Sequence, residues 1–254
     1  MKIFVTGDIH QNIDIAKLAS HRFPIGKTLT KEDVVIILGD AGLVWNDSPE
    51  DKYWRKWLNE KPWTTFCILG NHENYDLIEQ LPETTAFGNT VKQVEDSVFY
   101  ANTGLIYDIG GYKCLAVNGA DSHDKEYRTE GKSWWSQERI SQDDAAQAVI
   151  SLAGVNDKID YLFTHTGGTE VCRTLGYVPT PSDFWIDHII GMIEGDFKHF
   201  CGHYHVDYTV NDYTKILYRD VLLLHDTEDD INDGGLCSIF NGIRLDKSTV
   251  IEFE

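Results

Sequence analysis

Three apolar runs near the start of the chain each stop at a glycine followed by a polar residue. They are "KIFVTGD", ending at Asp8; "DVVIILGD", ending at Asp40; and "TTFCILGNHE", ending at Asn71 and His72. Short runs rich in β-branched and aromatic residues read as buried strands. The segments between them read as helices. From about Asn12 to Ser20, Ile13, Ala16, Leu18 and Ala19 have helical spacing; after Pro49, so do Tyr53, Trp54, Trp57 and Leu58. Pro49 suits a first helical turn. Strand, helix, strand, helix, strand predicts a mainly parallel sheet with helices on its faces. Chemistry in such sheets collects at the carboxyl ends of the strands, which is where these polar residues fall.

Two later runs end the same way: "KIDYLFTH" at His165 and "FKHFCGHYH" at His203 and His205. Around them, "SVFYAN", "GLIYDIG" and "YKCLAVNGA" read as short strands. "SQDDAAQAVISLAG" reads as a helix capped at Ser141 and ended at Gly154, and "FWIDHIIGMIEG" as a short helix. "VDYTV", "TKILYRD" and "VLLLH" read as antiparallel strands, and "LCSIFNGIRLDKSTVIEFE" as a closing hairpin. The acidic "DTEDDINDGG" lacks the closing Glu of a calcium loop and reads as a solvated turn. With no internal repeat or low-complexity linker, one domain over 1–254 is the expectation.

The chain has 254 residues and a formal net charge of −19. That field repels long polyanions, and no Lys/Arg run offers a face to duplex nucleic acid. Metal ions could still supply local positive charge for a small phosphate. The five cysteines, Cys67, Cys114, Cys172, Cys201 and Cys237, form no C-x-x-C pair and read as free thiols. No stretch approaches the roughly 20 apolar residues of a membrane span, and the opening run is too short for a signal peptide. A cytoplasmic protein without a membrane partner is expected; oligomeric state is not legible.

Of ten histidines, His10, His72, His165, His203 and His205 sit at predicted strand ends; His21, His123, His188, His199 and His225 read as structural. Asp, Asn and His donors suit Mn, Fe, Zn, Co or Ni. Two such ions clamp a phosphate and generate a nucleophile, and they need a bridging carboxylate, for which Asp40 is the candidate. Residues i and i+2 of an extended segment point the same way, which pairs Asp8 with His10 and His203 with His205.

The ordered motifs Asp8-Ile9-His10, Gly39-Asp40, Gly70-Asn71-His72-Glu73, Thr164-His165 and Gly202-His203-Tyr204-His205 resemble the five blocks of the calcineurin-like metallophosphoesterases. "GDAGLVW", "GNHENYDLI" and "SWW" look closest to a bacterial and phage subgroup. The resemblance implies an α/β fold, a two-sheet mixed β-sandwich flanked by helices. It implies two divalent ions, Mn first, with Fe, Zn, Ni or Co as alternatives. Asp8, His10 and His205 would hold the first metal; Asn71, His165 and His203 would hold the second; Asp40 would bridge them. His72 would protonate the leaving group after a metal-bridging hydroxide attacks phosphorus. The implied enzyme is a metal-dependent phosphodiesterase or phosphatase acting on a small phosphate ester or nucleotide. A nuclease acting on strand ends and a non-catalytic scaffold on the same fold are the alternatives.

The match departs from the family in places. Gln11 stands where many relatives have Gly. "AGLVW" follows Asp40 where the protein Ser/Thr phosphatases have an Asp and an Arg, which disfavours a protein phosphatase and leaves open what orients His72. Thr166, Gly167 and Gly168 follow His165 where relatives often have Pro. For substrate recognition, Ser122, His123, Asp124 and Arg128 are candidates, with no residue assigned. Trp134 and Trp135 read as core, and so do Trp54 and Trp57.

Overall fold

A computed structural model of the protein describes residues 1–226, 237–240 and 243–244. In chain order its strands are β1 (Lys2–Thr6), β2 (Val34–Leu38), β3 (Thr64–Ile68), β4 (Glu83–Ala86), β5 (Asn89–Glu95), β6 (Val98–Ala101), β7 (Leu105–Ile109), β8 (Tyr112–Val117), β9 (Tyr161–Thr164), β10 (Lys198–Cys201), β11 (Tyr208–Thr209), β12 (Thr214–Ile216), β13 (Val221–Asp226), β14 (Cys237–Phe240) and β15 (Ile243–Arg244). The α-helices are α1 (Pro49–Asn59), α2 (Tyr75–Glu79), α3 (Gln142–Ala153), α4 (Thr169–Leu175) and α5 (Pro181–Ile190).

Among the described residues the strands form two mixed sheets. One runs β15-β14-β13-β1-β2-β3-β6-β5-β4, the other β11-β12-β10-β9-β8-β7. Strand periodicity decides the layering. Ile3 and Val5 of β1, Ile36 of β2 and Phe66 of β3 meet Tyr107 of β7, Ala116 of β8, Phe163 of β9 and Phe200 of β10 between the sheets. The alternate residues Phe4, Val35, Ile37 and Cys67 face outward into a second cluster with Leu58 of α1, flanked by Trp54 and Trp57. On the far side, Leu115, Val117 and Leu162 pack against Ala148 and Leu152 of α3 and Ile186 and Ile189 of α5. This is the expected two-sheet sandwich flanked by helices, and burial on both faces explains why the inner strands are continuously apolar.

The helix ends follow local chemistry. Ser48 caps α1 ahead of Pro49 by accepting from Asp51 N, and Ser141 with Asp144 forms a capping box on α3, which ends at Gly154. Helix α5 starts earlier than "FWIDHII" suggests, because Thr180 and Asp183 form a second capping box ahead of it. The helix expected over Asn12 to Ser20 is instead a set of turns with a 3-10 segment, Ile15–Leu18. His10 and Gln11 turn left-handed (φ 38° and 46°), and Asp14 is tied back to the His10 ring. Ile13 is left 73% exposed.

The strands after His205 also differ from expectation. β12 runs antiparallel to β11 but parallel to β10, while β13 crosses to the other sheet and pairs antiparallel with β1. The side chain of Asp207 holds the crossing by accepting from the amides of Tyr218, Arg219 and Asp220. The hairpin β4–β5 and the short helices α2 and α4 were not expected. β14 and β15 pair antiparallel, as the closing hairpin requires; the acidic "DTEDDINDGG" loop lies, after its first residue, outside the described residues. Cys67, Cys114, Cys172 and Cys201 are buried free thiols, and no described helix is long and apolar enough to cross a membrane.

Candidate metal centre

β1, β2 and β3 are mutually parallel in one sheet, and β8, β9 and β10 in the other. The carboxyl ends of β1, β2, β3, β9 and β10 deliver Asp8 and His10, Asp40, Asn71 and His72, His165, and His203 and His205. Asp8, His10 and His205 each place one ligand atom within 4.8 Å of the others, and so do Asp8, Asp40 and His165. The carboxylate of Asp40 faces two ways: Oδ2 lies 3.5 Å from His10 Nε2 and Oδ1 lies 3.3 Å from His165 Nε2. Asn71 Oδ1 sits 3.1 Å from His165 Nε2, and the His203 ring lies 5.0 Å from the His165 ring. The half-buried His72 ring lies 5.8 Å from that of His10, and its backbone N–H donates to Asp40 Oδ1 at 2.8 Å. All eight residues singled out in the sequence therefore meet here.

The backbone is strained where it delivers them. His10, Asp40, His203 and His205 have φ of 38°, 47°, 69° and 52°, at a cost of about 1–3 kcal/mol each, which only surrounding structure can impose. The glycines of the motifs make room. A Cβ at Gly70 would collide with Asp40 Oδ1, and one at Gly202 with Asp8 Oδ1 and the Leu38 carbonyl.

The cluster asks for positive charge. Burial alone would depress His165 and His10, but the surrounding carboxylates, Asp40 foremost, push both up to about 9. Burial would raise Asp8 and Asp40, but neighbouring histidines hold both below the usual carboxylate range. Burial, then His165, pushes His203 down to about 3, so it stays neutral. The Nδ1–H of His165 donates to the Leu38 carbonyl at 2.7 Å, which aims Nε2 at Asp40 and Asn71. This is how metal-binding histidines are commonly oriented. Asp8 Oδ2 is buried and accepts no well-aligned hydrogen bond; its close neighbour, at 3.1 Å, is His205 Nε2. His205 in turn stacks on Tyr218. Oxygen and imidazole donors converging on two buried carboxylates fit divalent cations.

Residues 1–207 match the family described as calcineurin-like phosphoesterase. The chain belongs to that family. Calcineurin-like phosphoesterases typically hold two metal ions, and the acidic and histidine groups here suit such a pair. No curated protein matches the chain. Among solved structures, the Thermus thermophilus sulfate thiohydrolase SoxB in complex with glycerol is similar, with 13% identity and a TM-score of 0.41. The alignment covers 87% of this chain and 53% of SoxB, so the chain spans about half of that protein.

Several supporting roles were not read from the sequence, although Ser122 and Arg128 stood among the recognition candidates and Glu73 within a motif. Ser122 accepts from Asn71 Nδ2 at 3.1 Å, and Glu138 holds the Ser122 amide at 2.8 Å. Buried Lys17 donates to the carbonyls of Gly7, Asp8 and Tyr218 and is pushed down to about 8, by burial. Glu73 accepts from Ala41 N at 2.8 Å and is pushed up to about 8, by burial first and Asp40 second. The ring nitrogens of His72 face Arg128 rather than a carboxylate. Trp135 is buried and Trp134 half-buried, with Trp135 Nε1 donating to Asp76.

Proposed function

We propose that this calcineurin-like phosphoesterase hydrolyses a small phosphate ester or nucleotide, as a phosphodiester or a phosphomonoester, with two divalent ions of which Mn²⁺ is the first candidate. The observation that carries the reading is the two-sided Asp40 carboxylate, with a different histidine Nε2 facing each oxygen. Asp8, His10 and His205 would hold one ion; Asn71, His165 and His203 the other; Asp40 would join them. The ions, when bound, supply charge to polarise phosphoryl oxygens and to activate water. The chain's own residues orient these donors, and His72, beside Asn71 and half-exposed, gives a proton to the leaving oxygen. The net charge of −19 and the lack of a basic run support a small substrate over a nucleic-acid end. The cytoplasm is the proposed compartment.

The test is to strip the metal, restore Mn²⁺, and compare hydrolysis of bis(p-nitrophenyl) phosphate with p-nitrophenyl phosphate, with Asp40→Asn alongside. Metal-dependent turnover lost in Asp40→Asn is expected, and the preferred ester assigns the class. No turnover with Mn²⁺, Ni²⁺, Co²⁺ or Fe²⁺ sinks the reading and favours a scaffold.

A further inference from the structure

Arg128 comes from the polar stretch after β8, outside the strand ends that deliver the ligands. Its Nη1 lies 3.3 Å from His72 Nδ1 and its Nη2 3.2 Å from His72 Nε2, so the guanidinium spans both ring nitrogens. Nε pairs with Asp124 Oδ1 at 2.8 Å, and Nη1 donates to the Ser133 carbonyl at 3.3 Å.

An arginine has five N–H donors, and an imidazole has at most one acceptor nitrogen, and none while it carries the proton meant for a leaving oxygen. Asp124, Ser133 and His72 can therefore take at most three. The other two have no protein acceptor among the described residues. The side chain is only 15% exposed, so water cannot fully solvate them. The Asp124 carboxylate that balances the charge is 55% exposed and is screened by solvent. A largely buried guanidinium with unused donors therefore lies against the His72 ring, whose backbone N–H bonds Asp40 and whose ring is 5.8 Å from that of His10. Its planar fork matches a phosphoryl group, and its ties to Asp124 and Ser133 hold the side chain ready, which lowers the ordering cost of binding.

We propose that Arg128 is the phosphoryl anchor of this site, binding a non-bridging oxygen of the substrate while His72 faces the leaving oxygen. The proposal deepens the phosphoesterase reading and rests on it. It assigns to a separate loop the phosphate-binding cation that "AGLVW" lacks after Asp40.

The test uses the Mn²⁺-loaded full chain and inorganic phosphate as the probe, followed by calorimetry, so that it does not depend on turnover. Arg128→Met keeps an unbranched apolar side chain and removes the guanidinium that faces His72. It is expected to weaken phosphate binding about ten- to hundredfold, the range for a charge-assisted hydrogen bond, and to raise KM with metal content unchanged. Arg128→Lys, which keeps the charge and loses the fork, is expected to fall between. Lys132→Ala, exposed in the same stretch, is expected to bind as wild type. Unchanged phosphate affinity in Arg128→Met with full metal content overturns the anchor, as does a fall in kcat alone with a shifted pH profile, which would make Arg128 a positioning residue for His72. If the methionine variant does not fold, wild-type affinity in Arg128→Lys overturns the forked contact. A wild-type protein that binds phosphate through Arg128 yet cleaves neither ester would sink the phosphoesterase reading and leave the anchor standing.

Discussion

The side-chain amide of Asn71 donates to the Ser122 hydroxyl at 3.1 Å, which leaves Asn71 Oδ1 turned toward His165 Nε2. A hydroxyl can donate or accept, so Ser122 holds the amide in place, and the protonated His165 Nε2 is what favours the oxygen on its side. Ser122→Ala is expected to weaken binding of one of the two metal ions about 10–100-fold, as losing an outer support does, and to spare the other. Metal titration of the stripped protein resolves the two steps.

Gly70 has no room for a side chain. Gly70→Ala forces its methyl onto Asp40 Oδ1. It is expected to cost about 1–3 kcal/mol of stability, as overpacking does, and to lower metal content. Urea unfolding and elemental analysis measure the two effects separately.

His72 donates to a leaving oxygen in the proposed reaction. His72→Ala is expected to reduce kcat about 10²–10⁴-fold for an alkyl ester, the range for general acid catalysis. The loss should be much smaller for p-nitrophenyl esters, whose leaving group departs without a proton. Equal losses on both ester types would assign His72 to holding Asn71.

Metal binding is expected to release protons. His10 and His165 sit at about 9 in the metal-free cluster, so both carry an extra proton at pH 7 that an ion must displace. Apparent Mn²⁺ affinity should rise from pH 6 to 9 and level off above. Calorimetry in two buffers of different ionisation enthalpy counts the protons, and a pH-independent affinity would contradict the assignment.

His199 is buried between Thr164 and Thr214, and burial pushes it from 6.5 down to about 3. Between those values the unfolded chain takes a proton that the folded chain refuses, so this contribution to stability falls as pH drops through that window. From pH 7 to 5 the loss is about 2 kcal/mol. His199→Gln should flatten the acid limb of the denaturation profile by that amount.

The sequence by itself determined the strands and what they carry. Burial on both faces makes an inner strand continuously apolar, so "VVIIL" and "TTFCI" announce themselves, and the polar residues that stop them are those gathered at the sheet ends. Helices with a cap, such as α3 behind Ser141, are legible for the same local reason. Where a long-range contact outweighs local spacing, the reading fails. Asn12 to Ser20 has helical periodicity, yet Lys17 is drawn inward to the carbonyls of Gly7, Asp8 and Tyr218, and His10 turns left-handed to face Asp40. Only the tertiary structure decided that Ser122 supports Asn71 and that Arg128, 56 residues along the chain from His72, lies on its ring. Those partners are joined by loops with no period of their own, so their meeting is set by how the two sheets bring their ends together.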